Sequence, residues 1–194
     1  MKVKVDKKSA EKMLQEYKDF IRIDHETGNL RWGSIPVFLT RARLLYDIYR
    51  EIEKLVGEAA YSVTYHSLRT YGAEFGKLLR DPTYPSGRGK NRKELFENIC
   101  ADSLAGGWGK ITIEEKKGEI FLECETGFPI SQCYIEDKEK SKGPVDGFYL
   151  GYFEGILSAV DACEYQGEET HCKGKGDGKC CFVFRMYKSH HASK

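Results

Sequence analysis

No run of apolar residues in this chain approaches the ~20 that a helix needs to cross a bilayer. An excess of either charge is also missing: 31 Lys and Arg stand against 30 Asp and Glu, a formal net charge of +1. Without surplus positive charge there is no basic face to neutralise phosphates, so nucleic acid is not an expected partner. No dinucleotide fingerprint, flavin motif or Ser/His/Asp set is evident. The opening residues, Met1-Lys2-Val3-Lys4-Val5-Asp6, carry no apolar signal core. Export is therefore not expected, and a cytoplasmic location is.

Cysteine, by contrast, is plentiful, with seven residues. In a reducing cell, clustered cysteines point to metal or redox chemistry rather than to disulfides. The 194 residues, 40% of them hydrophobic, suffice for one domain with a proper core and a small appendage.

The last forty residues organise the chain. Glu169-Thr170-His171-Cys172 is followed, after Lys173-Gly174-Lys175-Gly176-Asp177-Gly178-Lys179, by Cys180 and Cys181. Three glycines and an Asp-Gly pair make the insert a turn, and residues 180–187 alternate as a strand. Two thiols thus sit at the mouth of a hairpin, with a carboxylate three residues before the first. Thiolates with a carboxylate or imidazole are the ligands zinc takes, four at a time. The competing reading is two reduced cysteines flanking a hairpin. The glycines do not form a phosphate cradle, because they lead into a strand and not into a helix N-terminus.

Elsewhere the periodicity predicts a helix over 9–21 capped by Ser9, a short hairpin over 21–32, and a long helix from Pro36 to Gly57. That helix buries Phe38, Leu45, Ile48, Tyr49, Ile52, Leu55 and Val56. A helix over about 58–80 follows, with Tyr61, Tyr65, Leu68, Gly72, Phe75 and Leu79 on one face. Residues 81–90 read as a loop, either a connection or a mobile lid. Asn91 caps a further helix to about Leu104. Strands run over 110–115 and 119–125, and residues 127–143 read as irregular. A last helix begins at Pro144, smooth on one side through Gly147, Gly151 and Gly155. Closing strands over 162–172 and 179–188 complete an α+β fold, an antiparallel sheet packed against a helical layer.

Gly107-Trp108-Gly109 opening a strand, Pro144-Val145-Asp146-Gly147-Phe148-Tyr149-Leu150-Gly151, and Glu169-x-x-Cys172 followed by Cys180-x-Phe182 together carry a resemblance. Residues 35–188 resemble the 4-vinyl-reductase domain family, of the stand-alone archaeal type. Residues 1–34 are then an N-terminal helix-and-hairpin appendage and 189–194 a polar tail. The resemblance implies the NO-signalling/Golgi-transport ligand-binding-like fold, similar to the Bet-type subunits of the TRAPP vesicle-tethering complex. It implies a homodimer and the binding of a small hydrophobic or aromatic molecule. It also implies a structural zinc held by the Glu and Cys of Glu-x-x-Cys, a later Cys, and a Cys ahead of the last helix. Glu169, Cys172 and Cys180 match three of these ligands. Asp146 stands where the fourth cysteine belongs, and Cys163, His171 and Cys181 are nearby substitutes. Cys180 and Cys181 face opposite sides of a strand, so both do not bind one ion.

Trp108, Tyr65, His66, Phe148 and Tyr152 are the candidate ligand contacts, each with plain core packing as its alternative. Cys100 is either an acylated or a buried inert thiol. Two other functions follow from the same resemblance: a component of a reductase acting on a vinyl or other unsaturated group, and an assembly or scaffold protein.

Overall fold

A computed structural model of the chain describes residues 1–32, 35–37, 40–81, 83 and 91–189. Its main sheet has five strands, all antiparallel, in the order β1-β5-β6-β8-β7: β1 (Lys2–Lys4), β5 (Ile111–Lys116), β6 (Glu119–Cys124), β8 (Cys180–Ser189) and β7 (Cys163–His171). A small sheet holds β2 (Ile21–Ile23), β3 (Leu30–Trp32) and β4 (Ile35–Val37). The helices are α1 (Lys7–Phe20), α2 (Ala42–Val56), α3 (Ala59–Leu78), α4 (Arg92–Ala105), α5 (Pro129–Glu136) and α6 (Gly147–Asp161). This is the expected α+β arrangement. No helix among the described residues is long and apolar enough to cross a membrane.

Helix α6 lies at the centre. It is buried on nearly every side because it packs on α3 with one face and on the sheet with the other. The four-residue glycine interval makes this possible. A Cβ on Gly151 would run into the Tyr65 carbonyl, and one on Gly155 into that of Arg69; across the seam, one on Gly72 would meet Tyr152. The two backbones touch where side chains would hold them apart. Beneath α6, Phe128 stacks between Tyr149 and Phe182, with centroids 4.8 and 4.9 Å away.

Several expected boundaries shift for local reasons. Asp6, not Ser9, caps α1: its carboxylate accepts the Ser9 N–H at 2.8 Å. Asn91 caps α4 as expected. Pro36 opens no helix; it lies in β4 opposite Arg31, and α2 starts at Ala42. Within α2 the buried side carries Tyr46 and Tyr49, while Ile48, Leu55 and Val56 are exposed. Phe38, most of the 81–90 loop and the tail beyond 189 lie outside the described residues. Residues 127–143 are not irregular throughout, since they contain α5, with Pro129 at its first turn. The first 34 residues serve both sheets: β1 is an edge strand of the main one, and α1 rests on α4.

Candidate metal centre

Three elements bring donor atoms to one buried point at the mouth of the β7–β8 hairpin. Asp146 precedes α6, Cys172 follows β7 and Cys180 begins β8. One ligand atom from each lies within 4.8 Å of the others, and all three residues are buried. The Asp146 Oδ2 is 3.0 Å from Cys180 Sγ and 3.9 Å from Cys172 Sγ.

The Glu-x-x-Cys spacing looks wrong for this on strict strand alternation, because residues three apart face opposite sides. A β-bulge supplies the correction. Glu169 pairs with Phe182 but His171 with Cys181, so Thr170 is an extra residue on β7. The bulge turns Glu169 to the same side as Cys172, where its Oε2 accepts the Asp146 N–H at 3.2 Å. Continuing the His171–Cys181 register by one residue sets Cys172 opposite Cys180. Of the alternative ligands, His171 is exposed and Cys163 lies at the other end of β7, opposite Ser189. Cys181 is turned away from this group, with its thiol toward its own strand at Phe182 O.

Ser131 of α5 stands inside the group and was not singled out from sequence. Its hydroxyl donates to Asp146 Oδ2 at 2.7 Å, accepts the Gly174 N–H at 3.2 Å, and lies 3.4 Å from Cys172 Sγ and 3.6 Å from Cys180 Sγ. The only signal available was its place in a short segment read as irregular.

The electrostatics are those of too many acids in one dry place. Burial, then the Cys172 charge, pushes the Asp146 carboxyl up to about 7. Burial also raises Glu169 well above the ordinary carboxylate range, with Asp146 adding to it. The Cys172 thiol falls to about 5, chiefly through its hydrogen bond with Cys180, and Cys180 is correspondingly pushed up. Asp146 Oδ1 and Glu169 Oε1 are buried without a hydrogen-bond partner. Among the described residues no Lys, Arg or His forms an ion pair with either carboxylate. A buried, unpartnered carboxylate oxygen is costly. A bound cation would satisfy both at once. Asp146, Cys172 and Cys180 are positioned to hold a metal ion.

The candidate ligand contacts do not converge on one space. Trp108, between two positive-φ glycines, touches Tyr152 with ring centroids 4.4 Å apart, and Tyr152 stacks on Phe75. Tyr65 is engaged elsewhere: its hydroxyl and the Arg69 guanidinium both donate to the buried Glu154, at 2.5 and 2.6 Å. Phe148 is half-buried and His66 exposed. An apolar hollow of about 10 Å³ does exist between α4, α6 and the sheet, lined by Ile99, Ile113, Ile120, Leu122, Phe153, Ile156 and Leu157. None of the five candidates lines it; Phe153, next to Tyr152, does. Cys100 is buried in α4, its thiol raised to about 12 by burial.

No family model matches the chain, and no curated protein matches it by sequence. Solved structures do. The phenol-responsive sensory domain of the transcription activator PoxR, with phenol, superposes with a TM-score of 0.71 at 18% identity, covering 91% of this chain and 89% of that one. A trafficking protein particle complex subunit 3 from Naegleria fowleri, covalently bound to palmitic acid, gives 0.51 at 17% identity, over 76% and 96%. A vinyl-4-reductase family protein from Methanocaldococcus jannaschii gives 0.44 at 17% identity, over 78% and 99%, too low to carry weight. The first two establish the fold that the chain shares.

Proposed function

We propose that this protein is a binding module for a small hydrophobic or aromatic molecule, and that a structural zinc braces its C-terminal hairpin. The observation that carries the metal is the buried group Asp146, Cys172 and Cys180, with Glu169 behind it and two carboxylate oxygens left without partners. Zinc would take Asp146, Glu169, Cys172 and Cys180, supply positive charge at the junction of α6 with β7 and β8, and hold three elements in register. It would perform no chemistry, because four protein ligands close its coordination.

The ligand half of the proposal is supported by the fold shared with a phenol-responsive sensory domain and by the lining of the interior hollow. At about 10 Å³ the hollow has room for a water-sized volume. Binding therefore requires α4 or α6 to move outward from the sheet. Trp108 and Tyr152, flanking Phe153, form the movable wall, with Tyr65, His66 and Phe148 farther out. Residues 35–188 make the binding unit and 1–34 cover its side. The module works as a homodimer in the cytoplasm, where its seven cysteines stay reduced.

The test is titration of the zinc-loaded protein with phenol and with benzene, followed by Trp108 fluorescence and methyl NMR shifts of Ile156 and Leu157. Saturable shifts at those methyls are expected. No saturable binding of either probe would overturn the ligand half and leave the metal half standing.

A further inference from the structure

The interior hollow has no polar side chain in its lining. The seven residues around it are four isoleucines, two leucines and one phenylalanine. Their backbones offer nothing either. Ile113 pairs with Leu122 across β5 and β6, and Ile120 with Phe184 across β6 and β8, so the peptide groups behind these side chains are spent in the sheet. Ile99 lies inside α4, and Phe153, Ile156 and Leu157 inside α6, where N–H and C=O bond along the helix. A molecule held between these walls meets hydrocarbon.

A hydroxyl brought into such a place leaves its water partners and gains none. Phenol and toluene have nearly the same shape, but one carries a hydroxyl where the other carries a methyl. Burial favours the methyl and penalises the hydroxyl. The lining therefore sorts ligands of one size by polarity.

We infer that the hollow takes hydrocarbons without a hydrogen-bonding group and discriminates against phenols. This deepens the binding reading given above and rests on it. It also separates this chain from the phenol-responsive domain whose fold it shares.

Titration of the full-length, zinc-loaded protein with toluene and with phenol, followed at the Ile156 and Leu157 methyls, tests it. Toluene should bind about 10–100-fold more tightly than phenol. Ile156→Thr should narrow that ratio. On a helix the new hydroxyl donates to a carbonyl of the preceding turn, as Thr64 does to Ala60 O at 3.0 Å. Its oxygen is then left to accept from phenol. Phenol should gain about tenfold relative to toluene, read at Leu157, a change that no loss of folding imitates. Tyr149 supplies the control. It lies one turn before Phe153 on α6, and its buried hydroxyl has no hydrogen-bond partner. Tyr149→Phe should leave the wild-type ratio unchanged. Phenol binding the wild type as tightly as toluene, or a ratio indifferent to Ile156→Thr, would overturn this selectivity while sparing the binding reading. A ratio that changes in Tyr149→Phe would overturn it too, by showing that a polar group reaches the ligand. No saturable binding of either probe would overturn both.

Discussion

Ser131 is where a single atom tests the metal centre without removing a ligand. Its hydroxyl orders Asp146, Gly174 and both thiols. Ser131→Ala should keep the metal but weaken it by about 10–100-fold, the effect of losing an outer-sphere partner, as read by competition with a chelator. Asp146 offers a pH test on metal-free protein. Its folded carboxyl is raised to about 7 by burial, whereas an unfolded Asp titrates near ~3.9. The folded state therefore holds a proton that the unfolded state has released, and stability falls as pH rises between those values. Asp146→Asn cannot lose that proton. The gap in melting temperature between wild type and Asp146→Asn should thus grow to the wild type's disadvantage from pH 4 to 7 and then level off. A gap independent of pH would mean that Asp146 is ionised in the metal-free protein. Of the three residues that converge, Cys172 and Cys180 were legible because thiols at a turn are chemically conspicuous. Asp146 was legible only through the family resemblance, and Ser131 not at all, because a hydroxyl carries no ligand signature in sequence.

At the scale of elements, the α3–α6 contact is made by absent side chains. Gly151→Ala should destabilise by about 1–3 kcal/mol or more, because the new methyl must displace the Tyr65 backbone. Gly178→Ala, with nothing within 4 Å of its Cβ, should stay within about 0.5 kcal/mol. Urea midpoints with unchanged slope check both, and equal effects would refute the close approach. The glycine interval in α6 showed in the sequence, and so did the apolar face of α3. Helix α5 did not, because eight residues between a glycine turn and a charged run hold too few periods to register. The reading of α2 failed instructively. Its apolar residues were all assigned to one core face, yet they divide between two, and only the neighbours of a helix decide which side is inside. The bulge at Thr170 was equally silent in sequence, although the Glu-x-x-Cys spacing required something like it.

At the scale of the molecule, the antiparallel α+β outline followed from the order of patterns, but the part played by the first residues did not. Three residues are too short for a strand signal, and β1 nevertheless extends the main sheet, with Val3 within it and Val5 just after it both buried. Val3→Asp should cost about 2–4 kcal/mol by placing an unpaired charge in the core between β1 and α4, seen as a lower thermal midpoint with the metal retained. A midpoint shared with wild type would show β1 to be dispensable. The sheet, α6 and the hairpin meet at the ligand group, so the whole account turns on one ion tying them together. Cobalt(II) substitution of the purified chain measures this most directly. One equivalent should bind with tetrahedral d–d bands and sulfur-to-cobalt charge transfer, which falls by about half in Cys172→Ser and in Cys180→Ser. A spectrum without thiolate bands, or one untouched by both replacements, would contradict it.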